Sequence, residues 1–272
     1  MRHSFLRWTF ALAATFFLMI QGAALAGDGD DEAKPKPPPN PWYRRPDFSL
    51  YFSGRYVYER NCLICHGENG DGKGELGVTL PVKPRSFLQG VFKYRSTPPG
   101  KMPTDDDLRR TITGGLNGTA MGAFTMLSST DLNEVVEYIK FFSRRWRKQE
   151  NFAEPILFPP LPAWFQNKAE RSQHAAAGKT LYESACMVCH GPQGDGTPMT
   201  PAPLMDIWGQ AVKPADLREV HLRCGNDLAD IYRTLTTGLD GTPMASFAEA
   251  FTPEQRWDVV SYVATLRKAE GR

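Results

Sequence analysis

Two pentapeptides of one design, Cys62-Leu63-Ile64-Cys65-His66 and Cys186-Met187-Val188-Cys189-His190, carry the most specific chemistry in this 272-residue chain. Two thiols at this spacing can each form a thioether with a vinyl group of one porphyrin. The histidine that follows then sets an imidazole beneath the iron as proximal ligand. Structural zinc knuckles and thioredoxin-like dithiol pairs also use closely spaced cysteines. Two copies in matching surroundings point instead to two covalently attached haems, one held by Cys62, Cys65 and His66 and the other by Cys186, Cys189 and His190.

The surroundings do match. Gly54, Tyr58, Glu59, Gly67, Gly70, Asp71 and Gly72 recur 124 positions later as Gly178, Tyr182, Glu183, Gly191, Gly194, Asp195 and Gly196. Further on, GLNGTAMGAF (115–124) recurs as GLDGTPMASF (238–247) with an offset of 123. A near-constant offset over a whole unit indicates tandem duplication.

A haem iron with one histidine still needs a sixth ligand. Met121 lies 55 residues after His66 and Met244 lies 54 after His190, both at the same place in G-L-x-G-T-x-M-x-x-F. A thioether there completes His/Met ligation at each iron, whereas a packing role is the plainer use of methionine. Met102 has no counterpart, Met126 matches Glu249, Met199 and Met205 follow the second motif closely, and Met187 is an interior position of the motif. His174 reads as a solvated helix start, His221 as a weak competitor for iron, and Cys224 as a small buried thiol whose thiolate would be an alternative ligand. Arg95 and Arg223 are candidates to pair with a haem propionate, and one proline per unit among Pro81, Pro84, Pro203 and Pro214 is a candidate to offer its carbonyl to the proximal histidine.

Helices must position these groups. Leu132, Val135, Val136 and Ile139 fall at i, i+3, i+4 and i+7, as do Val259, Tyr262, Val263 and Leu266. Thr252-Pro253-Glu254-Gln255 is a helix start, and Thr104 followed by Asp105, Asp106 and Asp107 is another. A short helix from Gly54 should lead into the first motif, and no useful strand alternation appears. The expected fold class is all-α, two tandem helical domains at 48–142 and 173–272, each thin in core unless a haem completes it. A linker at 143–172 joins them, with Pro155, Pro159, Pro160 and Pro162 and the cluster Arg144, Arg145, Arg147 and Lys148. That cluster reads as a solvated helix end or a dock for an acidic partner or lipid head groups.

Residues 1–26 have the form of an export signal: Arg2 and Arg7, an apolar run from Trp8 to Ile20, and Ala24-Leu25-Ala26. An uncleaved anchor is the alternative. Cleavage would leave 246 residues and, with Arg2 and Arg7 gone, take the formal net charge from +2 to 0, which argues against nucleic acid as a partner. A Pro-rich disordered spacer is expected at 27–47. Four of the five cysteines lie in the two motifs, so no disulfide framework is expected.

Each unit resembles a class I cytochrome c domain: helix, CxxCH, a Gly-Asp-Gly loop, a distal methionine in a glycine-rich loop, then a terminal helix. The resemblance covers 50–142 and 175–270 and leaves out the connectors. It implies two haem c groups, partly exposed haem edges and one-electron transfer between a redox donor and acceptor in the periplasm. By residue match, Cys62, Cys65, His66 and Met121 would serve one iron, and Cys186, Cys189, His190 and Met244 the other. The expectation is an electron carrier rather than an enzyme. A haem subunit of a membrane-associated respiratory or dehydrogenase complex is one alternative, and a dihaem peroxidase or thiosulfate-oxidising cytochrome is another.

Overall fold

Helices supply all the regular elements of the computed structural model, which describes residues 38–267. In chain order they are α1 (Tyr51–Asn61), α2 (Leu63–His66), α3 (Asp105–Gly114), α4 (Ser129–Phe141), α5 (Lys168–Ala185), α6 (Met187–His190), α7 (Leu228–Thr237) and α8 (Pro253–Leu266). Among the described residues there is no strand, only isolated bridges at Met205–Ala211 and Leu222–Gly225. The protein is all-α, as the periodicity indicated. No helix among the described residues is long and apolar enough to cross a membrane. The export signal expected at 1–26, with 27–37 and 268–272, lies outside the described residues.

Local sequence sets where the helices begin. The Thr104 hydroxyl accepts from Asp107 N, and the Asp107 carboxylate accepts from Thr104 N; Ser128 with Asp131 and Thr252 with Gln255 repeat the device for α4 and α8. Each reciprocal pair satisfies backbone donors that the first turn leaves open. The apolar stripes behave as their spacing demands. Val135, Val136 and Ile139 enter one hydrophobic core, and Val259, Val260 and Val263 enter a second.

Two helix crossings organise these cores. Helix α1 packs across α4, and α5 across α8. At each crossing a glycine, Gly54 or Gly178, meets the partner backbone so closely that a Cβ would overlap the carbonyl oxygen of Glu134 or Asp258. Only glycine permits that approach. One helical turn on, Tyr58 packs on Tyr138 with centroids 5.2 Å apart, and Tyr182 on Tyr262 at 5.1 Å. The motif turns α2 and α6 follow α1 and α5 almost without a break, so the crossings fix where the CxxCH residues point.

The connectors differ from expectation. Near the end of the segment read as a disordered spacer, the chain meets the linker: Asn40 Nδ2 donates to Gln149 O (2.9 Å) and Phe152 O (3.0 Å), and Tyr43 meets the Phe152 ring edge-on. Within the linker, Trp146 and Phe152 are buried in the first core and Phe165 in the second, and α5 begins at Lys168 instead of 173. The aromatic residues flanking the prolines have apolar area to bury and draw the segment onto both cores. Asn167 caps α5 by accepting from Ala169 N and Glu170 N. The basic cluster divides: Arg145 donates to Gly90 O (2.9 Å) and Gly100 O (2.5 Å) and is structural, whereas Arg144, Arg147 and Lys148 are exposed.

Candidate haem sites

The proximal side is built twice in the same way. His66 Nδ1 lies 3.1 Å from Arg85 O, and His190 Nδ1 lies 3.1 Å from Ala215 O. A carbonyl only accepts, so Nδ1 carries the proton and Nε2 keeps its lone pair for a metal. Burial holds both imidazoles below the ordinary histidine range, which keeps them neutral as a ligand requires. Gly72 N donates to His66 O (2.8 Å) and Gly196 N to His190 O (2.9 Å), closing each Gly-Asp-Gly loop beneath its motif. Phe87 stacks on the His66 ring at 4.6 Å.

The carbonyls at Nδ1 are not those of the prolines. They belong to the next residue in each unit, Arg85 after Pro84 and Ala215 after Pro214. The Pro84 and Pro214 carbonyls instead lie against Gly72 and Gly196, each 2.6 Å from where a Cβ would sit. Each proline's fixed φ directs the chain so that the following carbonyl meets the ring. Pro81 and Pro203 have no such role.

Two buried tyrosines complete this side. Tyr58 Oη donates to Gly67 O (2.7 Å) and Tyr182 Oη to Gly191 O (2.6 Å), tying α1 and α5 to the residue after each histidine. Burial raises both phenols well above the usual range. Each glycine carbonyl also accepts from Gly70 N or Gly194 N. Loss of the tyrosine bond therefore forfeits a bond without leaving the acceptor bare. Tyr58→Phe and Tyr182→Phe are expected to lower unfolding free energy by about 0.5–1.5 kcal/mol in denaturant titrations. Exposed Tyr56→Phe should stay within about 0.5 kcal/mol of the parent.

The distal loops also coincide. Leu116 N donates to Met121 O (2.8 Å) and Leu239 N to Met244 O (2.9 Å). Thr119 and Thr242 hydroxyls receive Met121 N and Met244 N at 3.1 and 3.2 Å. Phe124 N reaches back to Ile112 O, and Phe247 N to Leu235 O. Both methionines are half-buried against their unit's core. The rival methionines are elsewhere: Met102 is buried in the first core, while Met126, Met199 and Met205 are exposed.

The thiols suit thioether chemistry more than metal binding. Burial pushes Cys62 up to about 12 and Cys186 up to about 11, so both are neutral thiols at pH 7. Tetrahedral zinc needs four donors; among the described residues no three His, Cys, Asp or Glu side chains group as a metal site. Paired thiols, a neutral imidazole with Nε2 free, and an apolar wall on each side fit a haem at each motif. When bound, haem c supplies an Fe(III)/Fe(II) one-electron couple. The chain's part would be to orient the histidine through Arg85 O or Ala215 O.

Several sequence candidates take other parts. Arg95 is fully buried and pairs with Asp240 Oδ1 at 2.6 Å, so it is not a free propionate partner; Arg223 is exposed. His174 is not a solvated helix start: its ring stacks on Trp164 at 3.7 Å and Nδ1 bonds Asp258 Oδ1 at 2.6 Å, because α5 begins earlier than expected. His221 is exposed. Cys224 lines a small cavity with Tyr94 and Arg233, and burial raises its pKa, so it is a packed thiol. Arg85, Ala215 and the tyrosine hydroxyls were missed as functional groups. The repeated Tyr58 and Tyr182 were a usable signal, but a backbone carbonyl leaves none.

Fold and paired sites together define an electron-transfer haem protein of the covalent, c type. The profile described as "Cytochrome c" matches residues 175–267, and that described as "Cytochrome C oxidase, cbb3-type, subunit III" matches residues 51–139. Cytochrome c-554(547) of Halothiobacillus neapolitanus is 32% identical over 93 residues, covering 34% of this chain and 97% of that protein. A chain in the solved Kuenenia stuttgartiensis reducing HAO-like protein complex is 34% identical with a TM-score of 0.72, covering 79% of this chain and 96% of its own. The cbb3-type cytochrome c oxidase subunit CcoP of Azospirillum brasilense is 26% identical over 192 residues, 69% of this chain. This chain spans about half that subunit's length, 52%. The chain belongs to the cytochrome c family.

Proposed function

We propose that the chain is a dihaem electron carrier, with one haem c on Cys62, Cys65, His66 and Met121 and another on Cys186, Cys189, His190 and Met244. The observation that carries this reading is the repetition of both the proximal and the distal hydrogen bonds around each motif. A thioether from Met121 or Met244 would fill the sixth position of each iron and favour electron exchange over substrate binding, so the protein is read as a carrier and not an enzyme. The exposed apolar side chains Ile64, Val78 and Val188, within or just after the motifs, suit brief contact with redox partners. The export-signal pattern supports a periplasmic site of action.

A second reading, a fixed haem subunit of a larger redox complex, is favoured by the names of the oxidase subunit and the HAO-like complex among its relatives. Haem stoichiometry tests the main reading. The wild type should carry two haems per chain by mass, and Cys62→Ala/Cys65→Ala or Cys186→Ala/Cys189→Ala should each leave one. A wild-type value of one would refute it. Co-purification with a membrane complex would select the subunit reading.

A further inference from the structure

The two methionine loops are each held by the opposite unit. In the second unit's loop, Asp240 accepts from Arg95 Nη2 at 2.6 Å and from Gly100 N at 2.9 Å, both in the segment that leads into α3. Arg95 Nη2 also donates to Thr237 O at 3.0 Å and Nη1 to Gly238 O at 3.4 Å, at the base of the same loop. In the first unit's loop, the equivalent residue is Asn117. Its Nδ2 donates to Leu222 O at 2.9 Å and lies 3.0 Å from Asn226 Oδ1, in the segment that leads into α7. The grip is reciprocal, but its chemistry is not. One loop is held by a buried ion pair and the other by a neutral amide.

A second contact reinforces the charged side. Ile207 N donates to Gly241 O at 3.0 Å, and the Trp208 ring packs so near Gly241 that a Cβ would lie 2.6 Å from it. The guanidinium of Arg85, whose own carbonyl holds His66, sits 3.8 Å from the centre of that Trp208 ring. The loop bearing Met244 therefore meets Arg95 of the first unit directly and Arg85 only through Trp208.

We propose that the Arg95–Asp240 ion pair, formed between the units against the Met244 loop, sets the potential of the second haem through its charge balance. This rests on the His/Met reading above. An ion pair with the arginine fully buried has little net field while intact. Without the carboxylate, an uncompensated cation remains beside the loop and disfavours the ferric state.

The test is a spectroelectrochemical titration of the dihaem protein with each haem resolved. Asp240→Asn, which copies the first unit's amide, should raise the potential of the second haem, shifting its reduced-to-oxidised ratio by about tenfold, or about 59 mV for a one-electron couple. The first haem should not move. The double variant Arg95→Gln/Asp240→Asn removes the stranded cation and should return most of that shift. A fall in melting temperature with both potentials unmoved would show a purely structural clasp and overturn the proposal. That outcome would leave methionine ligation standing, since ligation is read separately from the spectra of Met244→Ala.

Discussion

Met244→Ala is expected to abolish the weak long-wavelength absorption of sulfur-ligated ferric haem at one site while leaving the other unchanged; Met121→Ala should do the reverse. The expectation follows from two half-buried methionines in loops of matching hydrogen-bond geometry, with the rival methionines either in the core or in solvent. A thioether ligand favours ferrous iron and raises the potential. Its loss should lower the affected haem's potential by two decades of equilibrium constant, about 120 mV at about 59 mV per decade. The vacated position should also let carbon monoxide or cyanide bind at neutral pH, which the parent should resist. Spectra that survive both substitutions would sink the ligand assignment. A parent that binds carbon monoxide readily would revive an enzymatic reading.

Gly178→Val should be the most damaging single change outside the haem ligands. At that crossing α5 and α8 are in backbone contact, and a Cβ would overlap Asp258 O. The obstacle is a main-chain atom inside a helix, so no side-chain rotation can relieve it; the helices must part. Parting them separates Tyr182 from Tyr262 and withdraws Val259 and Val260 from the core. Overpacking of ordinary sites costs 1–3 kcal/mol, and a backbone collision belongs at or above that limit, about 3–5 kcal/mol. That is a large part of the 5–15 kcal/mol typical of a domain. Thermal melts and haem content should fall together. Gly54→Val should do the same to the first unit, against the Glu134 carbonyl. Gly114→Ala is the control: nothing lies within 4 Å of a Cβ there, and the change should be neutral or slightly stabilising. If Gly178→Val melts like the parent, the close crossing is not what holds the unit.

What could be read in advance divides along physical lines. The CxxCH residues were legible because thioether attachment and proximal ligation need chemically specific side chains adjacent in the chain. The helices were legible because their faces repeat with the helical period and their starts use capping pairs such as Thr252 with Gln255. The carbonyls of Arg85 and Ala215 were not, since any residue supplies a carbonyl and only the path of the chain decides which one meets the ring. Proline drew attention to the right stretch and missed by one residue. The linker's packing was not legible for a related reason. Its prolines advertise a spacer, but whether Trp146, Phe152 and Phe165 find a core depends on surfaces far away in sequence.

The duplicated sequence by itself determined a helical class, two matching motifs and a methionine at nearly equal distance from each histidine, because these depend on residue type and local spacing. Tertiary structure alone decided that Arg95 of the first unit closes on Asp240 of the second, 145 residues away, and that Arg85 reaches Trp208. Each partner read alone is an ordinary charged or aromatic residue. Burial in a shared interface makes the pair matter, because a guanidinium removed from water must find its acceptors there, and those acceptors are set by how two copies of one fold pack together.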